Sequence, residues 1–92
     1  MQALESGAVI GVPCVVKPGP FSGERLISFD TVSGPISGFV REGELKLVGE
    51  EEWYVRAVVQ SVTEEEIEVR IRGSFFTTNG FATIPRQMAY AA

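Results

Sequence analysis

The sequence predicts an all-β fold, a small barrel or barrel-like sandwich, and three observations carry that expectation. Ten glycines and five prolines interrupt the 92-residue chain at short intervals. The segments between them are short and rich in Val, Ile, Phe and Thr, which fit a pleated, half-buried surface. Helical periodicity is nearly absent: only residues 2–5 and the stretch from Pro85 onward have room for a helical turn. With 45% apolar and 22% charged residues the composition is globular. A chain of 92 residues fits one domain with one core. The barrel is assigned to residues 8–88, with 1–7 an N-terminal extension and 89–92 a C-terminal tail.

Strands are expected at 8–16, 24–32, 36–41, 53–62, 66–72, 74–78 and 81–85, with a weaker one at 44–48. Asn79-Gly80 joins Phe75–Thr78 to Phe81–Ile84. Asn-Gly accepts positive φ at both central positions, so it predicts a two-residue hairpin pairing Thr78 with Phe81 and Phe76 with Thr83. Ser33-Gly34 predicts a second hairpin, with Pro35 at an edge or strand start because it has no N–H to give. Thr63–Glu66 turns the long strand into Ile67-Glu68-Val69-Arg70-Ile71-Arg72, whose clean alternation sends Ile67, Val69 and Ile71 inward.

The strands at 8–16 and 53–62 carry apolar groups on both faces. Trp53, Val55, Ala57 and Val59 lie opposite Tyr54, Arg56, Val58, Gln60 and Val62; Val9 and Val15 lie opposite Ile10, Val12, Cys14 and Val16. Two arrangements satisfy this: long bent strands shared between two packed sheets, or a second face that is a dimer interface. The expected core is Val9, Val15, Ile27, Phe29, Phe39, Val55, Ala57, Val59, Ile67, Val69, Ile71 and Ile84. The segment Gly38-Phe39-Val40 followed by Glu44-Leu45-Lys46-Leu47, and the turn Ile84-Pro85-Arg86-Gln87-Met88, resemble Src-homology-3-like barrels. That architecture implies hairpin connections and a short helical turn before the last strand. It is preferred over the OB-fold, whose longer interstrand helix has no counterpart in the sequence.

The residue counts close several chemical routes. The chain has no histidine and one cysteine. There is no imidazole base, no Ser-His or Cys-His nucleophile pair, no internal disulfide and no Cys- or His-rich metal site. Cys14 sits in an apolar strand without an activating histidine and reads as an inert thiol. No apolar stretch reaches the roughly 18 residues of a membrane span; the longest, 8–16, is broken by Gly11 and Pro13. A lone cysteine gives no sign of an oxidising compartment, so a cytoplasmic setting is expected.

Twelve acids against eight bases give a net charge of −4. Seven acids fall in Glu50–Glu52, Glu64–Glu66 and Glu68, at or beside turns, where they read as solvated loops. Glu runs without Asp and Gly spacing make a poor calcium loop. Six arginines outnumber two lysines, and five of the six fall in expected strands. They either pair across strands with the glutamates or gather on one face. Beside Phe21 or Tyr54, such a face would hold single-stranded nucleic acid, against the negative balance of the chain. Pro18–Glu24 forms a stiff loop with Phe21 at its tip. It lacks the Gly-Lys-Ser/Thr of a phosphate loop. Adjacent Phe75 and Phe76 point to opposite faces, so one enters the core and the other is covered by Met88–Tyr90 or exposed.

The function expected is that of a non-catalytic binding module without cofactor, acting through protein–protein contact or as a homodimer. Its candidate contact residues are Phe21, Arg25, Tyr54, Arg56, Phe76, Arg70 and Arg72, aromatic anchors in a polar rim. A single-stranded nucleic-acid-binding barrel and a small carboxylate-based enzyme are the alternatives.

Overall fold

The computed structural model describes residues 5–76 and 79–91. Among the described residues nine strands are present: β1 (Val9–Pro18), β2 (Glu24–Thr31), β3 (Gly34–Arg41), β4 (Leu45–Val48), β5 (Glu52–Val62), β6 (Glu66–Arg70), β7 (Ser74–Phe75), β8 (Phe81–Pro85) and β9 (Tyr90–Ala91). Short 3-10 turns occupy Glu42–Glu44 and Arg86–Met88. The protein is all-β, and its single sheet runs β7-β3-β2-β1-β5-β6-β8, with β4 on β5 and β9 on β1. The sheet curls until the tip of the β2–β3 hairpin meets β8, where the Val32 N–H donates to the Thr83 carbonyl at 2.9 Å. Among the described residues no helix is long and apolar enough to cross a membrane.

Two long strands organise the curl. Residues Val9–Cys14 of β1 pair with β5, and Val15–Pro18 pair with β2. β9 pairs with β1 at Ile10 and Gly11, on the edge that β5 leaves open. β5 behaves likewise: one edge takes β1, and the other takes β4 at Glu52–Val55 and β6 at Val58–Val62. Thus β1 is a strand shared between two halves of the sheet, the first of the two arrangements its sequence allows. The turn Arg86–Met88 before a short final strand on β1 is a feature that the Src-homology-3-like resemblance implies. Tyr90–Ala91, left in a tail by the sequence reading, forms that strand.

The core is Ile10, Val12, Ile27, Phe29, Val40, Val55, Ala57, Val59, Ile67, Val69, Ile71, Ala82 and Ile84. Among the described residues it holds no polar or charged side chain. Three expected core residues lie elsewhere. Val9 and Val15 face outward, 38% and 59% exposed, because β1 turns Ile10 and Val12 inward instead. Phe39 alternates with the buried Gly38 and Val40, which puts its ring on the outer face. Val62 also changes side. The β5–β6 register shifts between Val59 and Ser61. This one-residue bulge flips the pleat, and Val62 packs against the core.

Among the described residues the Phe76–Thr83 pairing expected of a hairpin at Asn79-Gly80 is not formed. β7 pairs with β3 and β8 pairs with β6, so Thr83 faces Glu68, and the Phe76 N–H donates to the Ser37 carbonyl. The proposed Thr78–Phe81 pair lies outside the described residues. Gly80 does take the positive φ foreseen, at 89°. Its carbonyl accepts from the Ile71 N–H at 2.8 Å, and from Ile71 the chain leaves the end of β6 on an excursion through β7. That excursion carries Phe75 over Gly38, where its ring meets Phe29 edge-on at 6.4 Å. A hairpin forms near Ser33-Gly34 as expected, but its turn is Val32-Ser33, one residue earlier: Gly34 opens β3 opposite Thr31, Pro35 faces Asp30, and the Thr31 hydroxyl donates to the Gly34 carbonyl at 2.6 Å.

A Cβ at Gly38 would lie 2.4 Å from Cδ2 of Phe75 and 2.8 Å from the Ser74 carbonyl oxygen. Gly38→Ala is therefore expected to lower unfolding free energy by about 1–3 kcal/mol. Ile84→Ala, at a fully buried site, is expected to cost about 2–5 kcal/mol. Urea denaturation checks both, and an unchanged Gly38→Ala midpoint would refute the close approach of β7.

Candidate functional site

The outward face of β1, β5, β6, β8 and β9 is an ordered array of side chains. Strand register sets Val9, Val58, Arg70 and Phe81 in one row across β1, β5, β6 and β8. Next to it Tyr90, Gly11 and Arg56 cross β9, β1 and β5. A third row holds Pro13, Tyr54 and Lys46. Same-face neighbours along a strand are two residues apart, about 7 Å, so Tyr54 and Arg56 stand side by side.

Gly11 makes the array possible. Tyr54 on β5 and Tyr90 on β9 flank β1, and their rings stack with centroids 4.5 Å apart and planes at 22°. The chain between them must be bare: a Cβ on Gly11 would lie 3.2 Å from the Tyr54 Cβ and 3.6 Å from its ring. Glycine within a strand often marks such a close approach. The stack forms one wall of a groove of about 500 Å³ lined by Val9, Glu44, Lys46, Tyr54, Arg56 and Tyr90, among others.

A second, smaller hollow adjoins it. β4 and β6 lie end to end along one edge of β5, and neither covers Arg56 or Ala57. Arg56, Val58, Arg70, Arg72 and Glu44 line the resulting cleft of about 160 Å³. Arg56 and Glu44 line both hollows, so the two are neighbours. The Arg70 guanidinium also lies 5.8 Å from the Phe81 ring centroid, a cation–π contact that holds it against the sheet. Cross-strand pairing with glutamates is not where these arginines go. Among the described residues the ion pair present is Arg25 with Glu42, at 3.1 Å and half exposed, of a kind worth little.

Four of the seven expected contact residues, Tyr54, Arg56, Arg70 and Arg72, thus share one face. The other three stand apart. Arg25 lies at the end of β2, against Glu42. Phe76 is 64% exposed beyond β3, where its ring meets Phe39 edge-on at 5.5 Å. Phe21 is 70% exposed at the tip of its loop. That loop is closed by the Gly19 N–H on the Glu24 carbonyl and the Glu24 N–H on the Phe21 carbonyl, at 3.2 Å each. Sequence reasoning missed Tyr90, Phe81 and Lys46. The interior glycine at position 11 is the signal that would have pointed to a ring crossing β1.

Among the described residues no group of three or more Cys, Asp or Glu side chains is placed to hold a metal ion, and Glu44 is the one carboxylate lining either hollow. Cys14 lies on the inward side of β1, its Sγ 3.8 Å from the Trp53 carbonyl oxygen. Burial pushes its thiol up from 9.0 to about 11, because the thiolate loses its hydration there. Its neutral form is favoured in the folded state, so the stability it contributes is complete below pH 9 and lost as the pH rises toward 11. The expected outcome is slow alkylation of native protein at pH 8, at least about tenfold slower than in urea, read by mass spectrometry. Equal rates would refute the burial. Searches of family models, curated proteins and solved structures returned no match to this chain.

Proposed function

We propose that the chain is a non-catalytic binding module whose partner is anionic and docks on the Tyr54–Tyr90 and arginine face. The observation that carries this reading is the convergence of Arg56, Arg70 and Arg72 on one cleft, none of them ion-paired among the described residues. A chain with four surplus acids has ample carboxylate to satisfy three guanidiniums. Arginines that gather without ion-pairing to it keep their planar, weakly hydrated forks for a group outside the chain. The stacked tyrosines beside them add rigid, amphipathic area, and Tyr with Arg is the composition that concentrates binding energy at interfaces. The lack of histidine and the single carboxylate in the two hollows support a module that binds without reacting. The single free thiol supports a cytoplasmic setting.

Inorganic polyphosphate, titrated calorimetrically at low salt, tests the face. The double variant Arg56→Glu with Arg70→Glu is expected to weaken binding at least tenfold, and Arg41→Gln on β3 to leave it unchanged. Absence of polyphosphate binding, or equal binding by the double variant, would remove the reading.

Self-association is a second reading, favoured by the exposed Val15 and Phe76 on the outer side of the β1–β2–β3–β7 half. Light scattering at high concentration is expected to give about twice the 10.0 kDa chain mass. A monomer mass there ends that reading and leaves the anionic one standing.

A further inference from the structure

We infer that the anionic partner is single-stranded nucleic acid, held with a base on the ring stack and successive phosphates along the arginine cleft. The inference rests on the anionic-partner reading and adds the chemistry of the ligand. Two recognition elements stand side by side. The first is the Tyr54–Tyr90 stack, whose outer member Tyr90 is 46% exposed. A nucleobase extends such a stack by laying its π-face on the ring, at about 1–3 kcal/mol per base and with little regard to sequence. A run of Asp or Glu has carboxylates for the arginines but no ring for the tyrosines.

The second element is the arginine track. Arg56 follows Tyr54 at the two-residue stride of a strand, about 7 Å. Arg70 lies diagonally across from Arg56, because it pairs with Val58, and such diagonals span about 7–8 Å. A strand leaving a base stacked at the tyrosines brings one phosphate to Arg56 and the following ones to the Arg70–Arg72 side of the cleft. Phe81 holds the Arg70 guanidinium against the sheet, where it serves a phosphate or a second base. The groove, about 500 Å³, falls within the range of about 300–1,000 Å³ usual for ligand sites.

The net charge of −4 does not oppose this locally. Glu50–Glu52 and Glu64–Glu66 sit around the turns flanking β5, and Glu44 is the one acid lining either hollow. Its carboxylate accepts from an imino or amino N–H of a base, so it selects base edges while the arginines select phosphates.

Fluorescence anisotropy with labelled oligo(dT) tests the inference, with polyphosphate, dTMP and oligoglutamate as competitors. Three phosphate contacts predict a log–log salt slope of about −2, an affinity loss of about twentyfold between about 50 and 200 mM salt. Tyr90→Leu is expected to weaken oligo(dT) about tenfold and leave polyphosphate untouched, whereas Arg56→Gln with Arg70→Gln weakens both. If polyphosphate competes as well as oligo(dT) and Tyr90→Leu changes nothing, base recognition is overturned while the anionic face survives. Oligoglutamate binding tighter than oligo(dT) replaces nucleic acid with an acidic protein segment. Equal affinity for dTMP and oligo(dT) replaces the strand with a free nucleotide. No binding of any probe removes this inference and the reading beneath it together.

Discussion

Between Cys14 and Val15 the first strand changes its hydrogen-bonding partner, and the rest of the molecule depends on that exchange. The N-terminal part of β1 pairs with β5 and the C-terminal part with β2. Backbone groups must be paired wherever they are buried, so one strand serving two neighbours has to bend and twist, and the sheet curls with it. The inward series Ile10, Val12, Cys14 and Val16 lies on the inside of that curl and meets Ile27, Val55 and Val59. The outward series is left with Val9, Gly11, Pro13 and Val15. A register slip of one residue would exchange the two sets, and the burial of Ile10 and Val12 is what forbids it.

The same exchange creates the outer array. Because β2 takes only the C-terminal part of one edge of β1, the remaining length is open to β9, which brings Tyr90 next to Gly11. Because β5 is longer than either β4 or β6, its edge is uncovered at Arg56, and a cleft forms there. Both hollows are thus gaps left by short strands lined up against long ones. They need no special loop, and their walls are held by the sheet ladder.

Much of this was legible in the chain. Alternation at 67–72 fixes the inward face of β6, since period-two patterns allow one assignment when the polar set is charged. The class followed from turn residues, and the clustering of Arg56, Arg70 and Arg72 was one of two outcomes the sequence allowed. What failed did so for tertiary reasons. Asn79-Gly80 has hairpin chemistry, yet the strands on either side of it found partners in β3 and β6, each offering a buried face that a lone hairpin lacks. The pleat of β1 was ambiguous because both of its faces are apolar; only the whole core decides which is inside. The bulge at Gln60 leaves no mark in composition, so the side on which Val62 lies was beyond reach. Tyr90 was hidden by the assignment of residues 89–92 to a tail, since its pairing partner lies at the far end of the chain, at Gly11.

That two-residue strand has a consequence for energetics. β9 is tied to β1 at Ile10 and Gly11 and to β5 through one ring stack, so opening it requires far less free energy than unfolding the barrel. Any molecule that leans on Tyr90 meets a ring held in place by this shallow local equilibrium. By mass action it deepens that equilibrium as it binds. Affinity at the face and the order of the last strand are therefore two readings of one quantity. A change that loosens β9, such as a bulkier residue at position 11, would weaken recognition through the order of the last strand.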